Sequence, residues 1–446
     1  MKGTVHYEVR GQSALLSIDN PPVNPLSSGV RQGLFDGMTQ ALADDAVKAV
    51  VITGLNRAFI AGADISEFGA AATAGASLND VLNLMENSEK PVVAAINGTA
   101  FGGGLEVALC CDYRVAVRSA PVGLPEVKLG LLPGAGGTQR LPRLIGAEAA
   151  IGAIVSGSPI AAPDALKLGI VDQVVDEDVV SAALAFSDQI IDSGSPTRKI
   201  RNLTDKVIAD RERQDLFVQA AANLDQTHRG QFAPAQILKC IEAAVYSDDF
   251  DAGMAVERSC FGECLAHPQR EALIHIFFAE RAANKIPGLS KETPLIDIQS
   301  AAVIGAGTMG GGIAMCFANA GISVQIHDND PEGLQRGLKV IEGNYARTVA
   351  KGRLSQQAMD ERMALIQPAA TLEAFGDADV VIEAVYENLD LKKEIFTKLD
   401  AIMKPGALLA TNTSGLDVDA IAACTSRPEF VCGMHFFSPA NVMRLL

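Results

Sequence analysis

The chain has 446 residues, and its 37 lysines and arginines against 53 aspartates and glutamates give a formal net charge of −16. This length predicts about three domains at roughly 150 residues each. Hydrophobic residues at 48% and charged residues at 20% are typical of folded globular chains and exclude a disordered or fibrous protein. The acidic balance gives no electrostatic footprint for nucleic acid or for an anionic membrane surface, so an anionic ligand must be held locally.

Cysteine use and the N-terminal segment bear on the compartment. The eight cysteines are sparse and lie mostly in apolar runs, which favours a reducing, cytoplasmic-type compartment over a disulfide framework. No apolar segment of a signal peptide follows residues 1–6, and no run of about 18 apolar residues occurs in the sequence. We therefore expect no membrane insertion and no N-terminal targeting signal.

Strand-length apolar runs alternate with helical patterns from the N-terminus to about residue 175. Strands are predicted at 14–18, 49–53 and 92–96, and helices at 30–43 and 78–87. This alternation predicts an α/β domain, which we place at residues 1–190.

Glycine-rich turns in this domain lie beside two glutamates. The turn 97–105 follows a predicted strand and opens a helix that carries Glu106, and Glu126 stands just before the second glycine-dense turn, 130–137. Such turns let backbone N–H groups face a ligand, although tight packing explains a single glycine turn equally well. Two carboxyl groups suit general acid/base work, and the upstream segment 57–64 offers a second backbone donor for an oxyanion hole.

Four motifs resemble those of the enoyl-CoA hydratase (crotonase) family. They are residues 61–65, 102–106, 125–126 and 133–141, and their order and spacing match over roughly residues 5 to 190. The resemblance implies a crotonase fold in which the N–H groups of Ala61 and Gly103 hold a thioester oxygen, with Asp64 beside the substrate. It also implies that Glu106 and Glu126 activate a water.

Both acids are present, whereas many relatives that isomerise, hydrolyse or decarboxylate have one of them replaced. This favours hydration of a 2-enoyl-CoA. A second use of Glu126, in moving a double bond, stays open.

Residues 191–296 lose the strand signals and carry long helical patterns. These cover 202–228, 233–246 and 269–285, so we predict a helical connector here. The basic run 198–201 fits either the phosphates of CoA or a solvated helix start. Cys260, Cys264 and His267 share one helix face, but no fourth ligand has the proper spacing, so we predict no metal site.

A second α/β unit begins near residue 297. Gly305, Gly307 and Gly310 follow the predicted strand 302–304, and Asp328 ends the next strand, 23 residues beyond the first glycine. Together these features predict a Rossmann NAD-binding domain at residues 297–446, in preference to a structural turn without cofactor. Asp328 would accept hydrogen bonds from ribose hydroxyls and repel a 2′-phosphate, which favours NAD over NADP.

Segments 411–414 and 433–439 stand at the ends of later strand-like runs, where ligands gather in open α/β sheets. Around them the sequence is similar to the 3-hydroxyacyl-CoA dehydrogenase family. The resemblance implies His435 as the catalytic base and Ser414 as a contact of the substrate hydroxyl. Glu387 and Lys392 would be cofactor contacts. A histidine packed in the core is the alternative for His435.

Two departures from that family bear on activity. Ser438 stands where many monofunctional relatives carry Asn, and it is more similar to the fused enzymes of bacteria and peroxisomes. The glutamate that orients the histidine, and the helical domain behind it, would follow Leu446. We therefore expect this chain to hydrate enoyl-CoA but to oxidise 3-hydroxyacyl-CoA poorly.

The combined resemblance implies a multifunctional enzyme of fatty acid β-oxidation. Its substrate would be an acyl-CoA thioester and its cofactor NAD, in a bacterial cytoplasm or a peroxisome. An isomerase or hydrolase joined to a dehydrogenase is one alternative, and a non-catalytic acyl-CoA or NAD binding scaffold is another. An oligomer or a thiolase partner stays open.

Overall fold

A computed structural model describes residues 2–64, 75–213, 215–283, 285–290 and 292–446. Ile65, the last residue of the first motif, lies outside these ranges. The chain forms two compact units, one that ends at Pro287 and one from Gly288 to Leu446. The domain limits predicted at residues 190 and 296 stay predictions.

The described part of the first unit contains ten strands in two sheets. They are β1 Thr4–Arg10, β2 Ser13–Asp19, β3 Ala49–Gly54, β4 Ala58–Ile60, β5 Val92–Ile96, β6 Thr99–Phe101, β7 Tyr113–Val117, β8 Pro121–Gly123, β9 Ile160–Ala161 and β10 Gln173–Val175. The larger sheet has the order β1-β2-β3-β5-β7-β10 and is parallel except for the β1–β2 pair. The smaller sheet, β4-β6-β8-β9, is parallel except for β8–β9.

Helices surround both sheets. They are α1 Ser28–Ala43, α2 Leu78–Glu86, α3 Gly103–Cys110, α4 Gly137–Ile145, α5 Ala147–Ser156, α6 Ala162–Leu168, α7 Val179–Ser193, α8 Asp205–Arg211, α9 Leu216–Thr227, α10 Ala233–Tyr246, α11 Phe250–Ala266 and α12 Pro268–Ala283, with 3-10 turns at Glu126–Leu129 and Ile200–Asn202. Among the described residues no helix is both long enough and apolar enough to cross a membrane.

The larger sheet is covered on both faces, which explains its continuous apolar strands. Val50 and Ile52 of β3 pack in the cluster that holds α1, whereas Val51 packs with residues of α7. The strands predicted at 14–18, 49–53 and 92–96 are confirmed, and α10 has the predicted bounds. The helix predicted over 202–228 was wrong, because the chain breaks it into α8 and α9.

The helical segment after residue 190 belongs to the core of the first unit. Ile237 and Ile241 of α10 and Cys260 and Cys264 of α11 lie in the same buried cluster as residues of β2 and β3. Helix α11 had not been predicted as an element. The segment is therefore more than a connector, because it completes the packing around the α/β part.

The second unit is a single parallel sheet with helices. Its strands are β11 Ser300–Ile304, β12 Ser323–His327, β13 Ile366–Pro368, β14 Val380–Glu383, β15 Leu408–Thr411 and β16 Val431–Gly433, and its helices are α13 Thr308–Asn319, α14 Pro331–Ala350, α15 Gln356–Ala364, α16 Leu389–Ile402 and α17 Val418–Ala422. The strand order is β13-β12-β11-β14-β15-β16, and every pair is parallel. This is the doubly wound order of dinucleotide-binding domains, so the predicted Rossmann fold is confirmed.

Candidate active site

The two predicted catalytic glutamates follow neighbouring strands. Glu106 lies in the first turn of α3, just after β6, and Glu126 opens the 3-10 turn after β8. Strands β6 and β8 are parallel, and the N–H of Gly102 donates to the carbonyl of Gly123 at 2.9 Å. Parallel strands end at the same edge of a sheet, so the fold brings both acids to one place.

Glu106 is buried and held by the second glycine turn. Its Oε1 accepts hydrogen bonds from the N–H groups of Ala135 and Gly137, each at 2.8 Å, and its residue is 3% exposed. Burial raises the pKa of Glu106 above its ordinary value, while these two N–H donors and the charge of Arg140 oppose that rise. The two donors therefore favour the ionised form of this carboxyl.

Glu126 is the more strongly perturbed acid. Burial, and then repulsion from Glu106, raise its pKa well above the ordinary value. Within the described part of the chain its Oε2 is buried without a hydrogen-bond partner. Because buried polar atoms are nearly always paired, this oxygen is a candidate to contact a substrate or water.

Gly102 shows why the turn before Glu106 needs glycine. Its φ is +55°, in the left-handed region, and a Cβ there would lie 2.8 Å from Oε1 of Glu126. A side chain at this position would strain the backbone and displace the acid.

The structure corrects one predicted oxyanion donor. The N–H of Ala61 donates to the carbonyl of Val23 at 3.1 Å, so it is engaged inside the protein. Two residues on, the backbone N of Ala63 lies 3.8 Å from the position of a Cβ on Gly103. Gly103 is the first residue of α3, where N–H groups have no partner within the helix. Ala63 and Gly103 therefore form the close backbone pair, and Asp64 follows Ala63 directly.

Sequence reasoning missed a third buried carboxyl, Glu257 of α11. Its Oε1 accepts from the N–H of Gly136 at 2.7 Å, and its Oε2 accepts from that of Thr138 at 3.1 Å. Residue 257 stands 121 positions from Gly136 in the chain, so no local motif connects them. Only the packing of α11 on the second glycine turn reveals it.

The basic run at 198–201 is taken up by ion pairs. Lys199 is buried, with its Nζ 2.9 Å from Oδ2 of Asp112. Arg201 contacts Asp251 at 2.8 Å. These two cations thus stabilise the fold of the first unit rather than forming a solvated helix start.

In the second unit, the glycine turn has the shape that a dinucleotide requires. Gly305 has a φ of +99°, and a Cβ there would lie 2.7 Å from the carbonyl oxygen of Ala384, while one on Gly310 would lie 1.8 Å from that of Gly305. A Cβ on Gly307, in contrast, would meet no heavy atom of the described chain within 4 Å. This opening at the N-terminus of α13 fits a pyrophosphate.

Asp328 lies beside that opening. Its Oδ2 accepts from the N–H of Ala306 at 2.8 Å, and its Oδ1 accepts from that of Asp330 at 3.0 Å. The carboxylate is thereby fixed just after β12, next to the glycine turn, and its contact with a ribose stays a prediction.

The predicted substrate and cofactor contacts Ser414 and Glu387 lie together. The N–H of Ser414 donates to Oε1 of Glu387 at 3.0 Å, and the hydroxyl of Thr413 donates to the same oxygen. Partial burial would raise the pKa of Glu387, but these hydrogen bonds and Lys392 hold it below the ordinary value.

Lys392 is placed behind this pair. It is 1% exposed, and its Nζ contacts Glu383 at 2.7 Å and Glu387 at 3.5 Å. We therefore expect Lys392 to act through Glu387.

His435 is an exposed residue and not part of the core. It follows β16, the strand next to β15, and its ring stacks on Phe437 with centroids 5.4 Å apart. The N–H of Phe436 donates to the side chain of Asn412 at 2.9 Å, which ties this segment to the end of β15. Ser414 and His435 thus follow neighbouring parallel strands.

The first unit is therefore a crotonase-type acid/base domain, and the second is a Rossmann cofactor-binding domain. Residues 10–243 match the family described as "Enoyl-CoA hydratase/isomerase", and residues 300–446 match "3-hydroxyacyl-CoA dehydrogenase, NAD binding domain". The chain belongs to the enoyl-CoA hydratase/isomerase family and carries a NAD-binding domain of the dehydrogenase type in the same polypeptide.

Named relatives match this sequence along nearly its whole length. The chain is 42% identical over 442 residues to "Peroxisomal bifunctional enzyme" of Cavia porcellus, covering 97% of this chain and 60% of the relative. It is 43% identical over 438 residues to the protein of that name in Homo sapiens, again covering 97% and 60%. The chain thus spans 60% of the length of each relative. Carnitinyl-CoA hydratase from Mycobacterium avium is 28% identical, covering 63% of this chain and 97% of that one, with a TM-score of 0.46.

Proposed function

We propose that the first unit adds water to a trans-2-enoyl-CoA and forms the 3-hydroxyacyl-CoA. One observation carries this proposal: Glu126, whose Oε2 is buried without a hydrogen-bond partner in the described part of the chain, stands next to a second carboxyl, Glu106, that two backbone N–H groups hold. Neighbouring carboxyls in different environments suit one base and one acid.

The hydrogen bonds and pKa shifts assign the two roles. Glu106, whose ionised form the N–H groups of Ala135 and Gly137 favour, takes a proton from water as the water oxygen bonds to C3. Glu126, whose pKa burial and then Glu106 raise, is the acid that we assign, and it delivers its proton to C2. The double bond is consumed, OH is added at C3 and H at C2. Proton exchange with solvent then restores both carboxyls.

Charge that develops on the thioester oxygen needs donors. We assign the N–H groups of Ala63 and Gly103 as these donors. Ala63 replaces Ala61 because the N–H of Ala61 already donates to the carbonyl of Val23. Backbone donors held by a helix start and a short bridge need little reorganisation during the reaction, which makes them effective.

For the whole protein we propose a second activity, the oxidation of the 3-hydroxyacyl-CoA. NAD, when bound, supplies the hydride acceptor. Gly307 and the start of α13 would hold its pyrophosphate, and Asp328 its adenosine ribose. His435 would take the proton of the substrate hydroxyl, which Ser414 would contact.

The product of the first reaction is the substrate of the second, which supports a place in fatty acid β-oxidation. All eight cysteines lie in the described part of the chain as free thiols, in keeping with a reducing compartment. A peroxisome, as in the names of the relatives, or a bacterial cytoplasm would provide it.

The test is a crotonyl-CoA assay that follows both the enoyl thioester absorbance and free CoA. Hydration predicts loss of the absorbance and formation of 3-hydroxybutyryl-CoA without release of CoA. Release of free CoA would identify a hydrolase, and an unchanged substrate would identify a binding scaffold. Either result would contradict the proposal.

A further inference from the structure

Four consecutive backbone N–H groups at the start of α4 alternate between two carboxylates. Those of Ala135 and Gly137 donate to Glu106, each at 2.8 Å. Those of Gly136 and Thr138 donate to Glu257, at 2.7 and 3.1 Å. The turn that holds the catalytic base is therefore itself held from the other side.

Glu257 has no exposure to solvent, and its carboxylate oxygens accept hydrogen bonds from donors of the second glycine turn. The hydroxyl of Thr138 adds a third hydrogen bond, to Oε2 of Glu257. That hydroxyl is oriented because it accepts from Nε2 of Gln139 at 3.0 Å. A buried carboxylate is costly unless it is paired in this way, so its retention at this turn calls for a role.

Helix α11, which carries Glu257, packs tightly against the second glycine turn. A Cβ on Gly253 would lie 2.2 Å from Oε1 of Gln139, and one on Gly134 would lie 2.6 Å from the ring of Phe261. The helix and the turn are therefore packed with no room for a methyl group at these two glycines, and interiors packed this closely transmit strain. Helix α11 also lies beyond residues 10–243, the part that matches the hydratase/isomerase family.

Arg140 makes a second set of hydrogen bonds that hold the same turn. Nη1 of Arg140 donates to the carbonyl of Ala135 at 2.8 Å, and the guanidinium also binds both oxygens of Glu86 at 2.8 Å. Arg140 holds a carbonyl of the turn, whereas Glu257 holds the two N–H groups that alternate with those on Glu106. The orientation of the peptide planes between residues 135 and 138 therefore depends on Glu257.

We propose that Glu257 is a positioning residue of the hydratase site, which keeps the N–H groups of Ala135 and Gly137 directed at Glu106. The proposal rests on the function proposed above. It extends the reacting machinery into the helical segment behind the α/β part.

The charged and titratable groups that surround Glu257 make the pH profile a useful readout. They are Glu106 of α3, Glu126, Arg140 of α4, Cys240 of α10 and Cys260 of its own helix. Burial, and then Glu106, raise the pKa of Glu257 to about 8. Glu257 in turn raises the pKa of Glu126. Glu257→Gln removes this charge, so it should lower the pKa of Glu126 and move the basic limb of the rate profile to lower pH.

The experiment measures crotonyl-CoA hydration by Glu257→Gln, with Glu263→Gln as the control for an exposed glutamate on the same helix. We expect kcat to fall about tenfold or more with KM within about twofold, as for a displaced catalytic group. In a Glu106→Gln background the same change should have less than about a twofold effect. Equal losses in both backgrounds, or an unchanged kcat and basic limb in Glu257→Gln, would overturn the proposal.

Thr138 provides an independent variant if Glu257→Gln does not fold. Thr138→Ser keeps the hydroxyl donor and should retain nearly full kcat, whereas Thr138→Val removes the donor and should lower kcat several-fold. Equal rates of two folded Thr138 variants would contradict the role of Glu257. If the unaltered protein does not hydrate crotonyl-CoA, the proposed function fails first, and that result is distinct from any of these.

Discussion

The two units use glycine turns in opposite ways. In the first unit the space beside the turns is filled by the protein's own groups: a Cβ on Gly102 would meet Glu126, and one on Gly137 would lie 3.0 Å from Oε1 of Glu106. In the second unit a Cβ on Gly307 would meet no described atom within 4 Å. The first turns orient catalytic groups that the chain supplies, and the second leaves room for a ligand.

The acids beside these turns also differ between the two units, both in their burial and in what their oxygens bind. Burial raises the pKa of Glu106 and of Glu126, as acid/base chemistry near neutral pH requires. Asp328 is half-buried and uses its carboxylate oxygens to hold backbone N–H groups at 2.8 and 3.0 Å. Two neighbouring acids of raised pKa suit proton transfer, whereas an acid fixed beside an open turn suits the recognition of a ligand.

The largest effect is expected from replacing either acid of the first unit, and it should be confined to hydration. Glu106→Gln and Glu126→Gln should each lower kcat for crotonyl-CoA hydration by about 10²-fold or more, because each removes a proton-transfer group. NADH binding by the same proteins should be unchanged. The exposed Glu177→Gln is the control, and near-full turnover by either site variant would refute the two-acid scheme.

A valine in the open turn should break the second site alone. Gly307→Val should weaken NADH binding by roughly tenfold or more, since its side chain would occupy the pyrophosphate position. Gly343 of α14 also has room for a Cβ, so Gly343→Val is a matched control that should bind NADH normally. Calorimetry measures both, and equal affinities would mean that the opening is not the cofactor site. Hydratase activity should be unaffected in each variant.

A smaller effect is expected at Asp328, which we assign to the adenosine ribose of NAD. The unaltered protein should prefer NADH to NADPH, and Asp328→Ser should narrow that preference by roughly fivefold, the effect of one charge in water-like surroundings. The exposed Asp360→Ser should leave the preference as it is. Equal affinity of the unaltered protein for the two cofactors would rule out the ribose contact.

The sequence predicted what local patterns encode. The glycines and terminal acid of the second unit stand in one βαβ stretch, so Gly305, Gly307 and Asp328 could be found by spacing alone. Likewise Glu106 and Glu126 stand beside glycine turns, and parallel strands β6 and β8 bring them together.

What spacing cannot encode is which atoms other segments occupy. In the segment 61–63 both alanines offer an N–H, and only the approach of Val23 and the Leu26–Ala63 bridge decide between them. Glu257 lies in a stretch that mixes apolar and charged residues with Gly253 and Gly262, so neither α11 nor its buried acid stood out. Its partners lie more than a hundred residues away, and only the packed structure reveals them.

The assignment of Glu126 as the acid is tested most directly by the pH dependence of kcat for crotonyl-CoA hydration in the unaltered protein and in Glu126→Gln. An acid must be protonated to act, so the rate should fall as pH rises through the raised pKa of Glu126; the base Glu106 must be ionised, so the rate should also fall toward acid pH. We predict a bell-shaped profile that loses its basic limb in Glu126→Gln and keeps its acidic limb. The same basic limb in both proteins would contradict the assignment.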